Sequence, residues 1–438
     1  MSILNFLLIN KIKMRDIAKA IIILILALFG IYFLESLQKE ITTNRCINIP
    51  AISENRGVLT KFCIKAIDGS GRVFVEIPSN FQDKYLLSFL FARNAVCKIY
   101  EKCNEYDYLF YPEKYFIAEG FSGTAGFGVL IMSVFNSLMN NYATTGFLLP
   151  NGIIFPVSGI LEKLNASTLN GEKLVAPSNL SDKIVQAYTI LDLEEIFFNK
   201  EYNLSYEIPK AYFEVMKEVS EDICKDIENS TIKELIENRR FYSAASLCYV
   251  EKSNNNKYLP NITEEELDEQ IADLEKNLSS IKCDTYVCEE LKYQVSSRIN
   301  LSKDMEDLNK KYWRFYTAEG WYRILISLKD LNRFNTCKKI DEDLNLILYL
   351  SESNINLTEN CFERREILAN FYINLLANLD FDLDKFLESS RKYLLFLYRN
   401  NGFSPTSYSY FTYGEDLIRM GKVTDGILYI LYGINYAV

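Results

Sequence analysis

The chain has 438 residues, a hydrophobic fraction of 49%, a net charge of -10 and no histidine. It holds enough apolar material for two or three folded domains, and its acidic balance argues against nucleic-acid recognition. The absence of imidazole excludes Ser-His-Asp triads, Cys-His dyads and HExxH zinc sites together, which leaves carboxylate pairs, a lysine base or a histidine-free metal site for any hydrolytic chemistry.

Taken in chain order, residues Ile17 to Leu34 are apolar apart from Lys19 and are long enough to span a bilayer. Lys11, Lys13, Arg15 and Lys19 crowd the N-terminal side, so the positive-inside rule places the N-terminus in the cytoplasm and the rest of the chain outside. No small-x-small cleavage pattern follows Leu34, which favours an uncleaved single-pass anchor over a signal peptide. All ten cysteines, and eight N-x-S/T sequons, lie beyond it, on the side where disulfides persist. Four cysteines precede residue 105 and six follow residue 220, which suggests that each half closes its own bridges; the pairing cannot be read from spacing.

Strands are expected at Arg56 to Ile67 and Gly71 to Ile77, flanking the turn Asp68-Gly-Ser-Gly71. An amphipathic helix follows at about Asp83 to Glu101, then a strand at Tyr106 to Tyr111 stopped by Pro112 and an apolar helix at Ala125 to Asn140. Strand patterns at Thr144 to Leu149 and Ile153 to Val157 flank the turn Pro150-Asn-Gly152, and a helix begins near Gly159. From about residue 207 the apolar residues recur at helical spacing with almost no Gly or Pro for over a hundred residues. The tail, Tyr408 to Ala437, reads as two antiparallel helices joined at Gly421-Lys422. Its tyrosines, including Tyr408, Tyr410, Tyr413, Tyr429 and Tyr432, are assigned to interhelical core over a peptide groove. Asp380, Asp382 and Asp384 mimic a calcium loop, but Lys385 takes the place that needs Gly, so they read as a helix start.

The stretch Ala118 to Asn165 carries the chemistry. Ser122 lies in a Gly-rich turn (Gly120, Gly123, Gly126, Gly128) between a strand and an apolar helix, where backbone N–H groups can stabilise an oxyanion. Taken alone, a Ser at that place reads as a helix cap, and a Lys such as Lys163 reads as a solvated surface residue.

Together the segments resemble the proteolytic domain of Lon proteases. Gly120-Phe-Ser-Gly-Thr124 stands at the family's nucleophile turn, Thr145-Gly146 at its Thr-Gly strand end, and Pro156-Val-Ser-Gly-Ile-Leu-Glu-Lys163 at its lysine segment. Phe121 stands where the family has Pro, Gly123-Thr124 where it has Ala-Gly, and Ser158 where it has the first Gly of the lysine segment. Upstream, Ile49-Pro-Ala-Ile-Ser53 and Gly69-Ser-Gly-Arg-Val73, with Pro150-Asn-Gly152 downstream, are similar to the archaeal, membrane-anchored branch that lacks an ATPase domain; coverage is about residues 46 to 180. The resemblance implies an α+β class with a Lon-type proteolytic domain of mixed sheets and helices; the helical periodicity downstream adds an all-α helical-hairpin array, and the apolar segment upstream one N-terminal transmembrane helix. The chain is thereby divided into a basic tail and anchor at 1–36, a peptidase domain at 44–200 and a helical domain at 205–438. The resemblance also implies a Ser-Lys dyad with Ser122 as nucleophile, Lys163 as general base, Thr145 orienting the amine, and Phe121, Ser122 and Gly123 forming the oxyanion turn. No GxxxxGK[ST] motif occurs, so the expected activity is ATP-independent, needs no cofactor or metal, and acts on unfolded or flexible polypeptide. Many Lon domains form rings, so a homo-oligomer is among the expectations. A base of this kind must be neutral near pH 7, which requires a desolvated amine without a carboxylate partner.

Overall fold

The computed structural model describes residues 45–76, 83–114, 120–139, 141–351, 360–376 and 381–438. Its first part is a four-stranded sheet in the order β1-β2-β4-β3, made from Arg45–Ser53 (β1), Arg56–Asp68 (β2), Val73–Val75 (β3) and Tyr106–Pro112 (β4). β1 and β2 form an antiparallel hairpin closed by Glu54 and Asn55, both at positive φ, the twist that a tight hairpin turn requires. The sequence did not mark β1 as a strand. Nor do β2 and β3 pair across their turn: β4 lies between them, antiparallel to β2 and parallel to β3. Backbone ladders on both edges of β4 hold it there, and the Asp107 carboxylate accepts the Ser70 and Arg72 N–H groups at 2.8 Å, tying the β2–β3 turn to that strand.

Helices α1 (Asp83–Cys97) and α2 (Thr124–Phe135) cover this sheet, with Phe62, Phe89, Phe110 and Phe127 packed ring against ring between the layers. Next come β5 (Tyr142–Thr144), the short pair β6 (Phe147–Leu148) and β7 (Ile154–Phe155), and α3 (Ile160–Leu169). Strands β8 (Lys173–Ala176) and β9 (Ile184–Gln186) join β5 in a parallel sheet of order β5-β8-β9, and α4 (Ile190–Phe198) follows.

From Lys210 onward the described chain is helical: α5 (Lys210–Ile223), α6 (Ser230–Glu237), α7 (Phe241–Ser253), α8 (Glu264–Ser280), α9 (Tyr286–Lys303), α10 (Leu308–Leu328), α11 (Cys337–Ser351), α12 (Cys361–Asn374), α13 (Leu383–Asn401), α14 (Pro405–Arg419) and α15 (Val423–Ala437). The final pair is the antiparallel hairpin read from the tail, turning at Gly421 with φ +81°. Its backbones nearly touch, since a Cβ on Gly414 would stand 2.6 Å from the Gly426 carbonyl oxygen. Asp382 is the N-cap of α13, accepting the Lys385 N–H at 3.1 Å.

One hydrophobic cluster runs from Ile47 to Val438 and so through both parts. Polar clasps reinforce the junction. Lys98, just past the end of α1, bonds the Pro150 carbonyl at 2.7 Å and pairs with buried Asp343 on α11, while Asn151 in the β6–β7 turn bonds Asn435 on α15 at 2.9 Å. The ten cysteines form five bridges, Cys46–Cys63, Cys97–Cys103, Cys224–Cys248, Cys283–Cys288 and Cys337–Cys361, each within its own half as their distribution suggested.

The expected fold class needs correction. The architecture is mixed α+β dominated by helices, and among the described residues no helix is long and apolar enough to cross a membrane. The three longest helices, α9, α10 and α13, carry charged residues along their length and bury part of their surface in the core, the pattern of globular helices. The segment Ile17 to Leu34, with the tail and anchor assigned to 1–36, lies outside the described residues.

Candidate active site

Ser122 sits in the turn between Gly120, at φ +80°, and the first residue of α2. Three bonds fix that turn. Thr124 N–H closes on the Phe121 carbonyl at 3.0 Å, and the Ser122 carbonyl accepts from Thr145 Oγ1 at 2.9 Å and from Gly146 N–H at 3.0 Å. The strand end at Thr145-Gly146 therefore holds the backbone of Ser122 directly. Phe121 contributes an anchor that the sequence did not reveal. Its half-buried ring stacks against both Phe91 and Phe147, with centroids 5.4 Å and 4.6 Å away and near-parallel planes, so aromatic contacts anchor the turn.

Lys163 enters from the opposite side. Gly159, at φ +67°, starts α3 and packs so tightly against Ile52 that a Cβ would overlap it, setting the helix across the β1–β2 hairpin. One turn later Lys163 points inward and is only 3% exposed. Its Nζ donates to Thr145 Oγ1 at 3.3 Å, and among the described residues it has no ion pair. Burial lowers its pKa from 10.5 to about 8, opposed by the charge of the exposed neighbour Glu162.

These residues share one open cleft of about 560 Å³, which contains Phe121, Ser122, Gly123 and Lys163. Ile49, Phe62, Tyr85, Phe127, Phe147 and Leu375 form much of its wall, and Lys163 is the charged residue among those lining it. Thr145, itself 1% exposed, bridges the two sides: its hydroxyl accepts from the amine and donates to the Ser122 carbonyl. No hydrogen bond joins Ser122 Oγ to Lys163 Nζ: Thr145 links the amine to the Ser122 backbone carbonyl, and the two side chains share only the cleft. The sequence pointed to Ser122, Thr145 and Lys163 but not to the walls. Leu375, on the helical half, carries no local signal because only the packing of α12 near this face brings it there.

Chemically, the arrangement offers a hydroxyl at the N-terminal end of a twelve-residue apolar helix beside an amine depleted of water and counter-charge. The positive end of the helix dipole favours a developing anion at that point. No protein-family model matches the chain, and no curated protein matches it.

Proposed function

We propose that the chain is an ATP-independent serine peptidase of the Ser-Lys type acting on unfolded or flexible polypeptide, related to the Lon proteolytic domain. The observation that carries this reading is Lys163: a buried lysine with no carboxylate partner and a pKa brought to about 8, opening on the same cleft as Ser122. In this reading Lys163 takes the Ser122 proton as the hydroxyl attacks a peptide carbonyl, and later returns it to the leaving amine. Thr145 orients the amine. The Ser122 and Gly123 N–H groups, upstream of those engaged at Thr124 and Ala125, receive the oxyanion.

The test is hydrolysis of an unfolded substrate such as reduced, alkylated casein, with covalent labelling by a fluorophosphonate, comparing the native protein with Ser122→Ala and Lys163→Ala. Loss of both labelling and cleavage in each variant supports the dyad; cleavage unchanged in either refutes it. A second reading is a surface-binding protein whose peptidase-like domain is inactive, and the lack of a direct Ser122–Lys163 bond favours it. It requires that the native protein neither label nor cleave.

A further inference from the structure

A second cavity, of about 260 Å³, lies wholly within the helical half between α5, α7, α9, α10 and the final hairpin, and none of its residues lines the Ser122 cleft. Three of the tail tyrosines that the sequence assigns to interhelical core, Tyr410, Tyr413 and Tyr429, do pack between the helices, and they also line this space. Their rings, with Tyr242 and Trp321, pack edge to face, so the walls are aromatic and rigid.

Two guanidinium groups stand in this aromatic setting. Arg298 is 9% exposed, lies over the Trp321 ring at 4.6 Å, and is held by Gln294, whose carbonyl and Oε1 it reaches at 2.9 Å and 2.6 Å. Arg314 lies over Tyr249 at 4.4 Å, and its Nε is buried without a hydrogen-bond partner. Both line the cavity, and Arg298 also interacts with the Tyr242 and Tyr410 hydroxyls and with the Glu366 carboxyl. Among the described residues neither has an ion pair. Glu366 is the acid on the wall, but it is turned to the Tyr436 hydroxyl at 3.0 Å, and burial pushes its carboxyl above the ordinary range.

Aromatic walls without charge would suit any apolar group, and an aromatic cage alone would suit a cation. Two arginines on one wall exclude the cation, and the buried, unpartnered Nε of Arg314 is a planar donor that a carboxylate satisfies. We infer that this cavity binds a carboxylate borne on a large apolar or aromatic group. Two sources carry that chemistry: the C-terminal residue of a polypeptide, whose capture would make the helical half a receptor for chain ends, and a free aromatic acid. The site does not involve Ser122, so its failure leaves the peptidase reading untouched, and the converse holds.

Trp321 supplies the readout, since the chain has two tryptophans and Trp313→Phe leaves Trp321 as the single reporter. The probes are N-acetylphenylalanine, its amide and phenylacetate, titrated into the folded full chain while its fluorescence is followed. Saturable binding of the acid is expected, with the amide at least about tenfold weaker, and with Arg298→Met or Arg314→Gln weakening the acid without weakening the amide. Arg314 is partly exposed, so its variant keeps the test alive if Arg298→Met unfolds. Tighter binding of N-acetylphenylalanine than of phenylacetate assigns the site to chain ends, and the reverse order assigns it to free aromatic acids. Equal binding of acid and amide, or no saturable response to either acid by the folded protein, overturns the inference.

Discussion

Two buried cations, one in each half, illustrate what a protein interior does with charge. In the helical half Arg333 lies 2.7 Å from Glu290, and both side chains are fully enclosed. The carboxylate is satisfied further by Ser404 Oγ at 2.7 Å and Thr406 N–H at 3.1 Å. In the β-rich half Lys163 is equally sheltered but meets only a hydroxyl. A paired buried charge is locked in one protonation state and serves structure, whereas an unpaired one is pushed toward neutrality and becomes available for proton transfer. The difference lies not in depth of burial but in whether an acid stands opposite.

The comparison breaks most visibly at the reacting groups. Ser122→Ala and Lys163→Met are each expected to lower peptide hydrolysis by at least about a thousandfold, as removal of a nucleophile or its base does elsewhere. Initial rates on an unfolded substrate check this. The native rate is expected to rise with pH through about 8, as the Lys163 amine loses its proton.

Removing the partner of the paired cation tests the other side of the contrast. Glu290→Ala strands Arg333 in the core and is expected to cost roughly 3–5 kcal/mol, read from urea denaturation. The unpaired cation reverses the sign. Its folded pKa, about 8, lies below the unfolded value of 10.5, so the unfolded chain holds more protons between those limits. Native stability therefore rises across pH 8 to 10.5, by roughly 3 kcal/mol from this group, and below pH 8 the desolvation cost is fully present. Lys163→Met is expected to stabilise the protein at pH 7 and to flatten that rise, which thermal melts across the range would detect. The smallest effect belongs to the bridge between the two sides of the cleft: Thr145→Val keeps the shape but removes the hydroxyl, and a loss of about ten- to a hundredfold in kcat is expected with little change in KM.

Local chemistry made much of this molecule legible. The strand at Tyr106–Pro112 ends at its proline, the α2 helix follows a glycine-rich turn, and the final hairpin turns at Gly421, because each depends on residues close in sequence. Ser122, Thr145 and Lys163 stood out for a different reason, the resemblance of their three segments, in order, to the Lon proteolytic domain; taken alone, Ser122 reads as a helix cap and Lys163 as a surface residue. The β1 strand escaped notice because its pairing with β2, and not its own composition, makes it a strand. The insertion of β4 between β2 and β3 is made by backbone pairing with segments distant in sequence, which no local periodicity encodes.

Sequence by itself determined which halves are β-rich and helical and that imidazole chemistry is absent, since composition and short-range backbone preferences act residue by residue; the serine and lysine drew attention through the resemblance of their segments to a known family. Only the tertiary structure decided that Lys163 has no ion pair, that Phe121 stacks against Phe91 and Phe147, that Leu375 reaches the cleft, and that Arg298 and Arg314 line one cavity among tyrosines. Desolvation and charge pairing are properties of what surrounds a group in space, and chain order does not specify those surroundings.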